Sequence, residues 1–186
     1  PGTITRTWIA EDACGNVATC DQTPAVDQPP VITLAFSPHA LWPADHKQTK
    51  ISLGGTTIVD ACEGPIGAFS NITISSSEPD DAAGSGDGDT TGDIRVRTSA
   101  GGFVSSNASP VVTAGSFDPV TDTIELRAER SGNGGGRVYT ITLTARDSVG
   151  DLAHKSFTVY VPKSQGEKHP CQCPNPQACQ CPDCLH

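Results

Sequence analysis

The sequence predicts an all-β fold: an immunoglobulin-like antiparallel β-sandwich, preceded by a β-hairpin and followed by a cysteine-rich irregular tail. Apolar residues alternate with threonine in short segments, as in VYTITLTA from Val138 to Ala145, and a period of two is typical of half-buried strands. Glycine, proline and aspartate separate these segments, and no segment repeats its apolar residues every 3.6 positions. The pattern divides the chain into residues 1–28, 29–162 and 163–186.

The first 28 residues contain two predicted strands, Thr3 to Asp12 and Val17 to Thr23, around a turn. The turn sequence DACGN from Asp12 to Asn16 matches DSVGD from Asp147 to Asp151 in a later hairpin. A lone two-stranded hairpin is marginally stable in water. We therefore expect the hairpin to be completed by the rest of a preceding module, by the second module or by another chain.

A linker at Asp27 to Pro30 leads into the predicted sandwich, which ends near Pro162. The last two strands are predicted from Val138 onward, on either side of the Arg146–Asp151 turn. One face is expected to be buried and the other threonine-rich and solvated. The expected buried residues are Tyr139, Ile141, Leu143, Ala145, Phe157, Val159 and Val161, and Thr158 and Tyr160 are expected on the solvated face.

Composition excludes two classes of partner. The 186 residues carry a net charge of -9, which is the wrong sign for binding phosphate backbones, so no nucleic-acid partner is expected. No apolar run approaches the ~18 residues of a membrane helix, so no membrane span is expected. Without a methionine or a leader, we expect Pro1 to be a processed start or a fragment boundary.

Eight cysteines indicate disulfides in an oxidising compartment, and we expect the protein to be secreted or on the cell surface. Five lie in the tail, and the short tail has too few apolar residues for a core of its own. Disulfides are favoured there over a thiolate metal cluster or free thiols, with the pairing left open. Three upstream and five tail cysteines are both odd numbers, so full pairing needs a bond from the tail to the body or to another chain. The eight are Cys14, Cys20, Cys62, Cys171, Cys173, Cys179, Cys181 and Cys184.

Two stretches resemble known modules. Residues 3–23 (TITRTWIAEDACGNVATCDQT) resemble the closing strands of hyalin-repeat and related immunoglobulin-like modules of large bacterial surface proteins. The second module resembles a bacterial immunoglobulin-like repeat with an SPxxLWPPNHK opening, a GDGDT loop and an LRAERxGxGxGRVYTI hairpin, which stand here at Ser37 to Lys47, Gly86 to Thr90 and Leu126 to Ile141. The resemblance implies an extracellular structural or adhesive repeat without a catalytic role. The stretch between Asp93 and Leu126 exceeds the family pattern, so extra strands or a protruding loop are expected there.

Six carboxylates between Glu78 and Asp93, without lysine or arginine, make this segment a candidate calcium site. The spacing of Asp87 and Asp89 aims two carboxylates at one hard cation, and calcium takes six to eight oxygens. We expect the segment to lie beside the linker and the Asp147–Asp151 turn. The predicted ligands are therefore Glu78, Asp87 and Asp89 with Asp27 or Asp147. The arrangement resembles the inter-module calcium sites of cadherins without their linker motif, and the alternative is a solvated acidic loop.

Two other groups of residues have a structural and a functional interpretation. Arg127, Glu129, Arg130 and Arg137 flank a glycine-rich turn and are expected to form a salt-bridge ladder on a hairpin, the alternative being a buried pair or a ligand site. Trp42, with Pro38, Pro43, Asp45 and His46, is expected to plug one end of the sandwich, with His46 capping a turn. The alternative is a sugar-stacking site.

The leading functional hypothesis is a non-enzymatic extracellular structural or adhesive module. It is expected to assemble with copies of itself or neighbouring repeats into a filament or surface layer, through strand donation and disulfides. The chain contains neither GxSxG nor HExxH, the motifs of two common hydrolase classes. The alternatives are a calcium-dependent glycan-binding adhesin module and the accessory domain of a secreted hydrolase, and calcium is the one cofactor proposed.

Overall fold

The computed structural model describes residues 4–23, 26–82, 86–99, 101–106 and 109–165, and these residues form thirteen β-strands and no helix. All pairings between the strands are antiparallel. The tail prediction falls on residues outside the described part of the chain, apart from 163–165. The strands are β1 Arg6–Glu11, β2 Val17–Gln22, β3 Val31–Thr33, β4 Gln48–Ile51, β5 Thr57–Asp60, β6 Gly64–Ile66, β7 Asn71–Ser76, β8 Ile94–Arg97, β9 Phe103–Ser105, β10 Val111–Ala114, β11 Thr123–Arg127, β12 Gly136–Arg146 and β13 Leu152–Pro162.

Two four-stranded sheets enclose the hydrophobic core. One has the order β10-β7-β12-β13 and the other β4-β11-β8-β9. The first contributes Ile72, Ile74 and Ile141 to the core, and the second contributes Ile94, Ile124 and Leu126, all of them fully buried. The sequence prediction of an all-β sandwich preceded by a hairpin is confirmed.

The β12–β13 hairpin confirms the period-two prediction, with one correction. Tyr139, Ile141, Leu143 and Ala145 are fully buried, as the alternation requires. Tyr160 was expected on the solvated face and is only 2% exposed. The reason is a segment preceding β4 that runs along this strand: the Tyr160 amide donates to the His39 carbonyl, and the Leu41 amide donates to the Tyr160 carbonyl.

The sequence predicted either extra strands or a protruding loop in the long stretch after Asp93. The structure has extra strands there. Strands β9 and β10 follow β8 and extend the edges of different sheets. Strands β11 and β12 were expected to form a hairpin and do not, because β11 pairs with β4 and β8 whereas β12 pairs with β7 and β13. The glycine-rich connection between them therefore crosses from one sheet to the other.

Strands β3, β5 and β6 form a small third sheet, and β1 and β2 form a separate two-stranded sheet. Residues Ile32 and Ile58 join the small sheet to the core. All twelve strand residues of β1 and β2 are exposed. Nowhere in the described ranges is there a helix of the length and apolarity needed to cross a membrane.

Candidate functional site

Arg137 lies at the centre of a buried ionic cluster at one end of the sandwich. Its guanidinium donates to Glu78 Oε2 through Nε at 3.1 Å, to Asp87 Oδ1 through Nη2 at 2.5 Å and to Asp93 Oδ2 through Nη1. The side chains of Arg137 and Asp87 are fully buried, and that of Asp93 is 1% exposed. A charge this deep needs such partners, because an unpaired buried ion is strongly destabilising.

A second arginine extends the cluster toward the surface. Arg127 Nε lies 3.3 Å from Asp93 Oδ1 and 3.7 Å from Oε1 of the fully buried Glu129. The other Glu129 oxygen lies 3.1 Å from His46 Nδ1 and accepts a hydrogen bond from the Thr90 hydroxyl. We call this group the arginine cluster: Glu78, Asp87, Asp93, Arg127, Glu129 and Arg137.

The charges of the arginine cluster are balanced partly by protonation. Burial and a hydrogen bond with Glu129 together raise the pKa of Asp93 to about 8, although the charge of Arg137 and its hydrogen bond act in the opposite direction. Burial also raises the pKa values of Asp87 and Glu129. Burial opposes the charge of Arg137, but its neighbours Tyr139 and Asp93 raise its pKa overall, so the guanidinium stays charged. A neutral Asp93 leaves two arginines facing three carboxylates.

The acidic segment between β7 and β8 is therefore not a solvated loop. Of its six carboxylates, Asp80, Asp87 and Asp93 are buried. The Asp80 carboxylate accepts hydrogen bonds from the backbone amides of Gly92 and Asp93. Gly88 is required here, because its φ is +76° and a Cβ would lie 2.9 Å from His46 Nδ1. Part of the charge of this segment is thus neutralised by arginines that lie far away in the sequence.

The expected salt-bridge ladder is also wrong. Glu129 and Arg137 do not face each other across a hairpin, since β11 and β12 lie in different sheets. They meet because both sheets direct charged side chains into the same end of the core. The Arg130 guanidinium lies apart and donates to the carbonyls of Pro162 and Lys163. Of the two interpretations, the buried group is the one that the structure has.

Four aspartates converge on the other end of the sandwich. Asp27 comes from the linker, Asp60 ends β5, and Asp147 and Asp151 bound the β12–β13 turn. One potential ligand atom from each of Asp27, Asp147 and Asp151 lies within 4.8 Å of the others, and the same holds for Asp27, Asp60 and Cys62. We call the four aspartates the linker-end carboxylates.

Hydrogen bonds hold two of these aspartates in fixed turns. Asp60 Oδ1 accepts from the amides of Cys62 and Glu63 at 2.7 and 2.9 Å. Asp147 Oδ1 accepts from three amides of its own turn at 2.7–3.1 Å. The second oxygen of each, Oδ2, is buried and receives no hydrogen bond from any described residue. The two turns are themselves joined, because the Ser148 amide donates to Glu63 Oε1 at 3.0 Å.

The predicted calcium ligands are split between the two ends. Asp27 and Asp147 belong to the linker-end carboxylates, whereas Glu78 and Asp87 bind Arg137. Asp89 is exposed, with a positive φ of 51°. Arg137 and Asp147 are ten residues apart on one extended strand and its turn, which is about 30 Å. The expectation that the acidic segment lies beside the linker is therefore wrong.

Strand direction explains this separation. Strand β7 runs antiparallel to β12, with Ser76 opposite Tyr139. The residues that follow β7, among them Glu78, therefore lie beside the beginning of β12 and not beside its end. The sequence contained a signal for the buried arginine: Arg137 precedes Tyr139 by two positions and so shares its buried face.

Trp42 does not plug the sandwich. Its neighbour Leu41 is buried at 2% exposure, whereas Trp42 is 45% exposed. Trp42 lines a surface groove of about 330 Å³ with Asp45, Lys47 and Gln48 among the other lining residues. The His46 amide donates to the Ala128 carbonyl, so this bond joins the segment before β4 to the residues after β11 and does not cap a turn. The His46 ring contacts Glu129 of the arginine cluster.

Cys14, Cys20 and Cys62 are exposed free thiols in this structure. Hydrogen bonding to Asp27, together with burial, raises the pKa of Cys62. The five tail cysteines, Cys171 to Cys184, lie outside the described residues, so the disulfide prediction stays a prediction. Three exposed thiols are the partners that a bond from the tail would require.

Comparison with family models, with curated proteins and with solved structures finds no match for this chain. The resemblance to hyalin-repeat and bacterial immunoglobulin-like modules therefore remains an expectation. The residues that sequence reasoning missed are Asp60, which stands alone between apolar residues, and Asp151, which was noted only as part of a turn.

Proposed function

We propose that this chain is a non-enzymatic, extracellular, immunoglobulin-like structural or adhesive module that assembles with copies of itself or with neighbouring repeats. The observation that supports the proposal is the β1–β2 hairpin. Its strands are exposed along their whole length, including Trp8 at 55%, Ile9 at 71% and Val17 at 60%. Apolar surface of this kind favours association.

The hairpin carries apolar side chains on both faces. Trp8 pairs with Cys20 and Ala10 with Ala18 on one face, whereas Ile9 lies on the other face opposite Thr19. Burying a side chain such as Trp8 contributes roughly 2–3 kcal/mol. A hairpin that is apolar on both faces suits insertion into a sheet of another module, where its backbone pairs with an exposed edge strand. Such a head-to-tail contact does not close, and it propagates as a filament.

The buried acid–base groups support a structural role over a catalytic one. A carboxyl with a pKa near 8, as Asp93 has, suits general acid–base catalysis. However, Asp93 is 1% exposed and Glu129 is fully buried, so a substrate has no route to these atoms in this conformation. The cysteine count supports placing the protein outside the cell.

The test is the assembly state of the full chain against two variants. Sedimentation velocity is run under reducing conditions, so that disulfide-linked species do not contribute. The first variant lacks residues 1–28, and the second is the double substitution Trp8→Ala and Ile9→Ser, which keeps the backbone of the hairpin. We expect the full chain to form concentration-dependent oligomers and both variants to be monomers.

Far-ultraviolet circular dichroism of the variants controls for loss of the sandwich. A matched substitution, Val149→Ser, removes an apolar side chain of similar exposure, 68%, from the β12–β13 turn outside the hairpin and should not change assembly. A full chain that is monomeric at every concentration contradicts the proposal. So does a shortened chain that still polymerises.

The groove beside Trp42 favours glycan binding as a second candidate function. An exposed indole next to Asp45, Lys47 and Gln48 combines a stacking surface with hydrogen-bonding groups, which is how sugars are held. A glycan array with the full chain tests this. Trp42→Ala should abolish any signal, and Trp8→Ala, at an exposed tryptophan outside the groove, should retain it. An equal loss in both variants contradicts the groove as the site.

A further inference from the structure

We propose that the linker-end carboxylates form a calcium site that fastens the linker to the sandwich. The ligands that lie within range of one another are Asp27 from the linker and Asp147 and Asp151 from the β12–β13 turn, and Asp60 adjoins them through Asp27. It differs from the sequence prediction in its residues, because it excludes Glu78, Asp87 and Asp89. It does not depend on the assembly proposed above.

The first argument is an uncompensated charge. Asp27 lies close to Asp147 and Asp151 on one side and to Asp60 on the other, and none of the four carboxylates forms an ion pair with a described lysine, arginine or histidine. The arginine cluster at the other end also contains four carboxylates, but two guanidinium groups lie among them. Like charges this close repel one another unless a cation lies between them.

The second argument is independent and concerns hydrogen bonding. A buried carboxylate oxygen without a donor is costly, because it has lost its water. Asp60 is 2% exposed and Asp147 is 7% exposed, and Oδ2 of each is such an oxygen. Their Oδ1 atoms are fully engaged by backbone amides. Those bonds hold the carboxylates in place and leave Oδ2 for a ligand.

The third argument is distance. Oxygens bound to one calcium at 2.3–2.6 Å lie no more than about 5 Å apart. The ligand atoms of Asp27, Asp147 and Asp151 lie within 4.8 Å of one another, and Asp27 is also within that range of Asp60. Hard oxygen donors favour calcium over softer metals. Main-chain carbonyls and water supply the remaining ligands in such sites.

The experiment is calorimetric titration of the full chain with calcium chloride after removal of metals by a chelator. We expect about one calcium per chain, with a Kd on the order of 10⁻⁴ to 10⁻³ M, as in extracellular modules. At roughly tenfold excess over Kd, the unfolding midpoint should rise by about 3–6 °C.

Two variants locate the site. The double variant Asp60→Asn and Asp147→Asn keeps the Oδ1 acceptors of both turns and should lose the heat and the midpoint shift, with an unchanged circular dichroism spectrum in chelator. The matched control, Glu78→Gln with Asp89→Asn, removes two carboxylates at the other end and should bind calcium as the parent does. Retained binding in the first variant overturns the proposal.

Two further results would also overturn it. One is a parent chain with neither heat nor a midpoint shift at about 10 mM calcium, which is well above the Kd range of such modules. The other is binding of zinc but not calcium that is lost in Cys62→Ser, since Asp27, Asp60 and Cys62 would then form a thiolate site. With calcium, Cys62→Ser should bind unchanged.

Discussion

Two groups of four carboxylates occupy opposite ends of the same sandwich, and they differ in how their charge is compensated. In the arginine cluster, Arg137 and Arg127 contact every carboxylate, and Asp93 is further neutralised by a raised pKa. At the linker end, no described cationic side chain comes within ion-pair distance. The carboxylates of the first group are paired with arginines of the same chain, whereas those of the second have no cationic partner among the described residues.

This difference in charge compensation indicates different roles for the two groups of carboxylates. A buried network with internal partners joins the two sheets, since Arg137 of β12 binds Asp93 beside β8. The linker-end carboxylates are held in fixed turns without a described cationic partner, and they are instead arranged for a ligand. In the sequence, the two groups are not distinguishable, because both are part of the same excess of acidic residues.

The largest effect is expected at Arg137. The substitution Arg137→Met keeps much of the side-chain length but leaves Glu78, Asp87 and Asp93 without their guanidinium. Removing one partner of a buried ion pair costs about 3–5 kcal/mol. We expect a loss of unfolding free energy in this range at pH 7, measured by urea denaturation in chelator. At pH 4 the loss should shrink, because burial raises the pKa of Asp87 and so brings this partner of Arg137 closer to its neutral form.

Arg97→Met is the matched control for this prediction. Arg97 is exposed on β8 and its guanidinium stacks over the Phe103 ring at 4.4 Å. An exposed cation–π contact contributes about 0.5–1 kcal/mol. If Arg137→Met were no more destabilising than Arg97→Met, the arginine cluster would not be the ionic centre that the contacts indicate.

Local patterns in the sequence were sufficient for the strands but not for the sites. Alternation over Val138 to Ala145 predicted the buried face of β12, because that periodicity is a property of consecutive residues. The pairing of Asp87 with Arg137 spans 50 positions and depends on which strands are neighbours. The same limit explains two wrong predictions. Tyr160 was expected to be solvated but is covered by His39 to Leu41, and the acidic segment was expected beside the linker but lies at the other end of the sandwich.

An intermediate effect is expected in the pH dependence of stability. Asp93 has an ordinary pKa of 3.8 and a folded pKa of about 8, so between these values the native state binds more protons than the unfolded state. The unfolding free energy should therefore fall as the pH rises from about 4 to 8, and Asp93 alone contributes no more than about 1.4 kcal/mol per pH unit. The raised pKa values of Asp87 and Glu129 act in the same direction.

Substitution of Asp93 checks the origin of this slope. Asp93→Asn should flatten the dependence of the urea midpoint on pH in that window, even though it also weakens the bond to Arg137. Asp81→Asn, at an exposed position of the same segment, should leave the slope as it is. A parent chain whose stability rises steadily from pH 4 to 8 would mean that Asp93 is ionised in the folded state.

The smallest effect is expected at the linker end when calcium is absent. Asp147→Asn keeps the carbonyl oxygen that accepts three backbone amides, and it replaces an unpaired charged oxygen with an amide that can donate to Asp27 or Asp151. In chelator, the unfolding free energy should stay constant or rise by up to about 0.5 kcal/mol, because like-charge repulsion is relieved. Asp147→Ala removes the acceptor as well and should lower the unfolding free energy by about 1–2 kcal/mol.

The same Asn substitution within the arginine cluster, Asp87→Asn, weakens a charged pair with Arg137 and should be destabilising. Both changes in unfolding free energy are measured by urea denaturation under one set of conditions. A neutral or stabilising effect of Asp147→Asn beside a destabilising effect of Asp87→Asn would show that the charge is compensated at one end and not at the other. A destabilisation at Asp147 as large as that at Asp87 would show that the linker-end charge is already compensated within the protein.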